Sequence, residues 1–427
     1  MEQILLSLSI ALFAGLMLSR LAKLVQLPAV TAYLVAGILV GPFCLGAFNV
    51  SGVGFTNELI HSFGIISDVA LGFIAFAIGN EFRLSQLKKI GKQATVIGIF
   101  QAVFTTILVD ITLICLHLLI PEQFPLPAAI IMGAIAAATA PAATLMVVRQ
   151  YKAKGPVTDV LLPVVALDDA VGLVLFSVSF GIAKALIAGS VSILSIIVEP
   201  IIEVVLSIGL GMVMGYLFTF FERFFHSRSK RLSMSVAFVF LTVAVSNLSF
   251  NVGEVHVGFS PLLSCMMLGT VFCNICDFSE QLMDRLDRWT APIFILFFVI
   301  SGAELDLNVL TNLIIVLIGL AYIISRSIGK YTGARLSASL VKSEPNIRKY
   351  LGITLLPQAG VALGMAEMVK SWTATMPAFS EIGLIVANLT LFSVLIYELI
   401  GPFLTKMALH KAGEINPEGK ISERNKG

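Results

Sequence analysis

Apolar runs, most of them reaching the roughly 20 residues a helix needs to cross a bilayer, recur along almost the whole chain. They fall near 3–20, 28–42, 59–80, 94–119, 126–148, 158–187, 192–222, 232–250, 255–273, 290–305, 309–340, 348–369 and 381–409. No water-soluble interior could hold that much apolar surface. Of 427 residues, 57% are hydrophobic and 13% charged, against about 25% charged in soluble domains. The bilayer is therefore the solvent. The runs are too long and too evenly apolar for barrel strands, so helix is the spanning element. The expected fold class is all-α integral membrane, with about thirteen transmembrane helices and membrane lipid as first partner. No nucleic-acid partner is expected.

The basic residues test the count. With the N-terminus outside and loops alternating, 24 of the 28 Lys and Arg fall in inside segments, while Lys184 and Lys370 fall outside. Arg326 and Lys330 lie within a span. A miscounted helix would scramble this pattern, so the positive-inside rule supports a multi-pass cell-membrane protein with a cytoplasmic C-terminus. The first span lacks a basic flank and reads as helix, not a cleaved signal. Segment 411–427 reads as a short cytoplasmic tail without fixed structure, leaving the chain no room for a nucleotide-binding regulatory domain. A lone CxxC, Cys273 and Cys276, reads as packing and not as a metal site.

The chain repeats itself. Residues 71–87, LGFIAFAIGNEFRLSQL, align without gaps on 294–310, FILFFVISGAELDLNVL, so that Gly79 meets Gly302 and Glu81 meets Glu304. Pro28-to-Gly37 aligns more weakly on Pro261-to-Thr270. Each pair of spans is seven apart, and an odd separation means opposite directions through the membrane. Inverted halves are a signature of secondary transporters. The spans at 126–148 and 348–369 are again seven apart and both are interrupted. The first holds Thr139-Ala140-Pro141 and the second Pro357-Gln358-Ala359-Gly360. Proline removes a backbone donor and clashes with the preceding turn, and glycine permits unusual angles. Two crossed, unwound helices are expected there.

Charges inside spans are costly and functional by default. Asp168 and Asp169 lie mid-span in VVALDDAVGLVLF, and neighbours on a helix point about 100° apart. Lys330 lies in SRSIGKYTGA. The economical arrangement pairs Lys330 with one aspartate and leaves the other for a transported ion. Asp68 could complete an ion site or cap a local network. Arg326, one turn before Lys330, could pair with an acid or hold the bundle together. Asp110, Glu367 and Glu398 could be pathway residues but rank lower, because such acids more often snorkel or pack against backbone polar groups.

These motifs resemble the monovalent cation:proton antiporter-2 family, within the sodium/proton antiporter fold. The resemblance runs from Pro28 to about Ile400, through SDVALGFIAFAIGNEF at 67–82, ATAPAATLMVVRQYKAKGPVTD at 138–159, ALDDAVG at 166–172, GKYTGA at 329–334 and LPQAGVALGMA at 356–366. It implies a homodimer and one transporter unit over 1–410. Mobile core helices would lie at approximately 59–187 and 290–409, and dimerisation or scaffold helices at approximately 3–42 and 192–273. It also implies elevator-type exchange of protons for sodium, or for potassium or lithium, without a cofactor and without enzymatic activity. By matching positions, Asp169 would be the main ion and proton carrier, with Asp168 as the partner of Lys330. Thr139 would be a ligand and Asp68 an accessory acid. The two aspartates would be the transported ion's metal ligands, joined by carbonyls of the unwound segments. Adjacent aspartates with a lysine resemble the electrogenic branch, which exchanges two protons for one sodium. The chain departs from many relatives in having Ala140 where an aspartate often follows the threonine. The alternative is a sodium-coupled organic-anion symporter of related fold. An intramembrane aspartyl protease is disfavoured, because its carboxylates come from different helices.

Overall fold

In the computed structural model the described residues are 2–24, 29–48, 54–140, 144, 147–148, 151–187, 199–248, 250–252, 255–305, 312–372 and 379–415. The helices, in chain order, begin with α1 (Glu2–Leu24), α2 (Ala29–Val40), α3 (Asn57–Ser62), α4 (Gly64–Glu81), α5 (Leu84–Leu119) and α6 (Leu126–Ile135). They continue with α7 (Pro156–Ile187), α8 (Glu199–Glu222), α9 (Arg228–Ser246), α10 (Pro261–Ile275) and α11 (Ser279–Ala303). The last are α12 (Leu313–Leu340), α13 (Pro345–Thr354), α14 (Gly360–Ser371) and α15 (Phe379–Lys411). Among the described residues, eight helices are long and apolar enough to cross a membrane: α1, α5, α7, α8, α9, α11, α12 and α15. Large apolar side chains such as Phe13, Ile107, Val205 and Ile324 stay exposed along them, as a lipid solvent allows.

Every expected span has a counterpart, with shifted ends. The span at 59–80 is α3 and α4 together, and that at 348–369 is α13 and α14 separated by a break. The spans at 232–250 and 255–273 lose their facing ends to a hairpin, Phe250–Val252 paired antiparallel with Val255–Val257. Helix resumes only at Pro261, where Ser260 accepts a hydrogen bond from Leu263 N at 3.4 Å and proline occupies the first turn. The span at 290–305 starts earlier, at Ser279, because residues 279–290 form an amphipathic continuation of α11. The opening turns of α5 are set off from its spanning part at Gly91, whose φ of 74° breaks the helical path.

The repeat is expressed as an exchange of partners. Helix α4 packs on α10, and its repeat counterpart α11 packs on α2, the counterpart of α10. The glycines aligned by the repeat sit at both crossings. A Cβ at Gly79 would meet Met266 O of α10, and one at Gly302 would meet Leu34 O of α2. Both backbones approach too closely for any other residue, as in small-residue contacts between membrane helices. The end of α4 is tied to α10 through Asn274, which donates to Phe82 O and accepts from Leu84 N, both at 2.7 Å.

Residues 412–415, expected to belong to an unstructured tail, are ordered, and the rest of that expectation lies outside the described residues. Glu414 is buried, and its carboxylate accepts from Val157 N at 2.7 Å, Thr158 N at 2.8 Å and Thr158 Oγ1 at 2.7 Å. It caps α7, whose first-turn N–H groups have no intrahelical partner and carry the positive end of the helix dipole. A carboxylate 256 residues from Thr158 in sequence leaves no local capping signal, so periodicity could not reveal it. Replacing Glu414 by Ala removes three charge-assisted bonds, each worth about 1.5–3 kcal/mol. Glu414→Ala is expected to lower the thermal unfolding midpoint in detergent by several degrees, with Glu414→Gln intermediate; an unchanged midpoint in both would refute the capping role.

Candidate functional site

Helix α6 stops at Ile135 in the middle of the bundle, and residues 136–140 continue as irregular backbone. Nothing in AIAAATA is a strong local breaker before Pro141, which lies outside the described residues, so the stop is a tertiary effect. A helix C-terminus leaves carbonyls without intrahelical donors, and in a dry interior each unmet group costs several kcal/mol. Here each carbonyl from 135 to 138 meets a side chain. Gln358 Nε2 donates to Ile135 O at 3.0 Å, Arg326 Nε to Ala136 O at 3.0 Å, Lys330 Nζ to Ala137 O, and Arg326 Nη2 to Ala138 O at 2.7 Å.

The second break mirrors the first. Helix α13 ends at Thr354, α14 starts at Gly360, and the intervening Leu356 O accepts from Arg326 Nη1 at 2.7 Å. The two irregular segments touch directly, Ala140 N donating to Pro357 O at 2.9 Å. Ala140 and Ala359 pack together, with Val30 of α2 against them. Small side chains let the backbones cross this closely.

Over this crossing lies α7 with its two aspartates. Asp168 Oδ2 accepts from Lys330 Nζ at 2.6 Å, with both side chains fully buried, and also from Thr139 Oγ1. Thr139 Oγ1 in turn accepts from Lys330 Nζ at 2.8 Å, so lysine, threonine and aspartate form a closed triangle. Asp169, next along the helix, accepts from Thr139 N at 3.4 Å and is 2% exposed. Breaking such a buried pair by removing one partner costs about 3–5 kcal/mol. A metal cation that takes both carboxylates therefore has to compete with an ammonium already in place.

The structure thus brings together Asp168, Asp169, Thr139, Ala140, Lys330, Arg326, Pro357, Gln358, Ala359 and Gly360. Asp68 stands apart. It is exposed on the first turns of α4 and lines a cavity of about 220 Å³ with Lys184, Asn247 and Trp372. Its helix position points it to that vestibule, so it does not complete the cluster in this conformation. The freed carbonyls, expected as ion ligands, already accept from Arg326, Lys330 and Gln358. Arg326, read from sequence as either an acid's partner or a brace, is a brace for backbone. Its guanidinium also lies 4.5 Å from the Tyr397 ring centroid.

Three polar residues escaped the sequence reading. Tyr322 OH accepts from Gln358 Nε2 at 3.0 Å, Ser393 Oγ donates to Gln358 Oε1 at 3.2 Å, and Tyr397 OH donates to Ile323 O at 2.7 Å. A signal existed for the first: Tyr322, Arg326 and Lys330 recur every four residues and form one stripe of α12.

The model of the sodium/hydrogen exchanger family, a transmembrane family, matches residues 8–410. Among solved structures, the sodium proton antiporter MjNhaP1 from Methanocaldococcus jannaschii at pH 8 superposes with a TM-score of 0.70. The two are 20% identical, over 95% of this chain and 99% of that one. An electron-microscopy structure of the same antiporter gives a TM-score of 0.68 at 17% identity, over 96% and 98%. These likenesses establish a shared fold.

Arg326→Gln leaves three carbonyls short of a charged donor and is expected to cost at least about 3 kcal/mol. Arg326→Lys recovers only part, because an ammonium cannot reproduce the guanidinium fork. Unfolding midpoints in detergent check this; a wild-type midpoint for Arg326→Gln would refute the bracing role.

Proposed function

The chain belongs to the sodium/hydrogen exchanger family, and from that premise of cation:proton antiport we propose that it exchanges protons for sodium electrogenically, with Asp169 and Asp168 as the ion site. The observation that carries the reading is the buried Asp168–Lys330–Thr139 triangle with Asp169 beside it. Sodium is a hard cation that favours oxygen ligands, and two carboxylates and a hydroxyl converge at one point.

In the sodium-free site, Lys330 is an ammonium on Asp168 and Asp169 carries a proton. Sodium entering between the carboxylates displaces the proton of Asp169 and takes Asp168 from Lys330. An ammonium left in a dry site without its counter-ion is costly, so Lys330 gives its proton to water. Two protons leave as one sodium enters, and the cycle moves net charge. Potassium and lithium compete for the same oxygens, with the rank set by how closely the two carboxylates can approach the ion.

We assign the mobile core to 59–187 and 290–409 and the scaffold to 3–42 and 192–273, with the site carried on the core in an elevator-type movement. The proposed assembly is a homodimer in the cell membrane, N-terminus outside. The crossing favours a bare cation over the organic anion of a symporter, since Ala136–Ala140 are buried and the carbonyls of residues 136 to 138 are engaged by side chains.

Asp169→Asn is expected to abolish sodium-driven proton movement in proteoliposomes; wild-type rates would refute its role as carrier. Lys330→Gln is expected to leave exchange electroneutral or absent, and an unchanged sodium-evoked current on a solid-supported membrane would argue against the two-proton cycle.

A further inference from the structure

We propose that Glu398 of α15 is a second proton-binding carboxyl, loaded and unloaded as the contact between α2 and α15 closes and opens. The inference rests on the antiport reading and adds to it a proton site away from the aspartate pair.

Glu398 is 1% exposed. Oε2 accepts a hydrogen bond from Thr31 Oγ1 of α2 at 3.3 Å, and Oε1 is enclosed with no hydrogen-bond partner among the described residues. The surroundings tie the carboxyl to the crossing. One turn further on, Gly401 faces Pro357, where an added Cβ would lie 2.9 Å from Pro357 Cγ. Val30, the neighbour of Thr31, packs on Ala140 and Ala359. Glu398 therefore lies on the side of α15 that meets α2, one turn from the contact with Pro357.

Charges on the helices around α15 are engaged elsewhere. Helix α2 carries only Tyr33 as a titratable residue, and α6 carries none. From α12, Arg326 serves the carbonyls, Lys330 serves Asp168 and Arg335 is exposed. From α14, Lys370 holds Glu304 at 2.8 Å with Glu367 beside it. From α7, Lys184 holds Glu203 at 2.6 Å, Asp168 holds Lys330, Asp169 meets Thr139 N and Asp159 lies in the first turn. From α13, Arg348 donates to Ser343 O, and Lys349 lies over Tyr350. Among the described residues, none of these charges forms an ion pair with Glu398.

An ionised carboxylate enclosed with one neutral hydroxyl is strongly disfavoured; a neutral acid in the same place is not. The closed contact therefore holds the acid. Helices α2 and α15 belong to the proposed scaffold and core, so their contact lies on the surface that must slip during transport. When it parts, the acid passes its proton to water as hydronium and the carboxylate is hydrated; closing reverses the exchange. The closed form binds one more proton than the open form, so acid favours it and base releases it. Exchange should accordingly slow on the acid side.

The test is the pH profile of sodium-driven proton movement in proteoliposomes for wild type, Glu398→Gln, Glu398→Asp and Thr31→Val. Glutamine mimics the permanently protonated acid. It is expected to lower exchange at the alkaline end at least fivefold and flatten the profile, while sodium-dependent thermal stabilisation in detergent stays within twofold of wild type. Aspartate should restore the slope. Thr31→Val leaves the carboxyl but removes from the closed form a bond worth about 1 kcal/mol to the protonated acid, and should move the acid limb down by about half to one pH unit. Profiles of Glu398→Gln and Thr31→Val that superpose on an active wild type would overturn this proposal alone. A wild type without sodium-driven proton movement would overturn the antiport reading and this proposal with it.

Discussion

Backbone freed from helix in a place without water is the constraint on which the centre of this molecule depends. Where α6 stops, four consecutive carbonyls, 135 to 138, lose the donor four residues on, Ile135 O keeping only a turn bond from Ala138 N at 3.3 Å, and a bilayer interior supplies no replacement. The donors come from α12 and from Gln358 of the opposite break. Arg326 alone binds Ala136, Ala138 and Leu356, and so clamps both breaks with one planar group. An interruption that would be ruinous in lipid becomes a defined crossing, closed by the Ala140–Pro357 bond.

The frame around the crossing follows from the repeat. Because α4 takes α10 and α11 takes α2, each half of the chain is completed by the other. Glycine at 79 and at 302 fixes both close approaches. Helix α12 lies along α5 and against α13, which sets its polar stripe over the two breaks. At the other end of α7, Glu414 neutralises the helix start and pins the segment after α15 to it. The helix that carries Asp168 and Asp169 is therefore anchored at its first turn as well as at the site.

The sequence made the spanning helices legible because burial in lipid leaves a one-dimensional trace: twenty apolar residues, then charge. It also displayed the repeat and, through proline and glycine, the place of the interrupted pair, though not that α6 stops already at Ile135. What it could not display was the partnering of polar groups across long separations. Asp168 and Lys330 were both conspicuous as intramembrane charges, yet nothing local in the sequence says that Arg326 serves carbonyls and not an acid. Asp68 was conspicuous for the same reason as the paired aspartates, but its position on the first turns of α4 turns it towards the vestibule. Glu414 sat in a polar tail whose composition resembles an unstructured segment. Its role arises only because α7 presents bare N–H groups nearby.

Arg326 and Lys330 stand one turn apart on one face and look interchangeable, but their chemistry divides the work between them. A guanidinium stays charged under any condition the protein meets, so the clamp on the two breaks holds whichever ion occupies the site. An ammonium can lose its proton and leave a counter-ion. On the proposed cycle that capacity belongs at 330, where the counter-ion is Asp168, a ligand of the incoming metal. With the residues reversed, each turnover would release the carbonyls of the crossing and charge the folded state several kcal/mol. On that proposal, keeping the permanent cation on backbone and the titratable one on carboxylate separates ion exchange from the integrity of the fold.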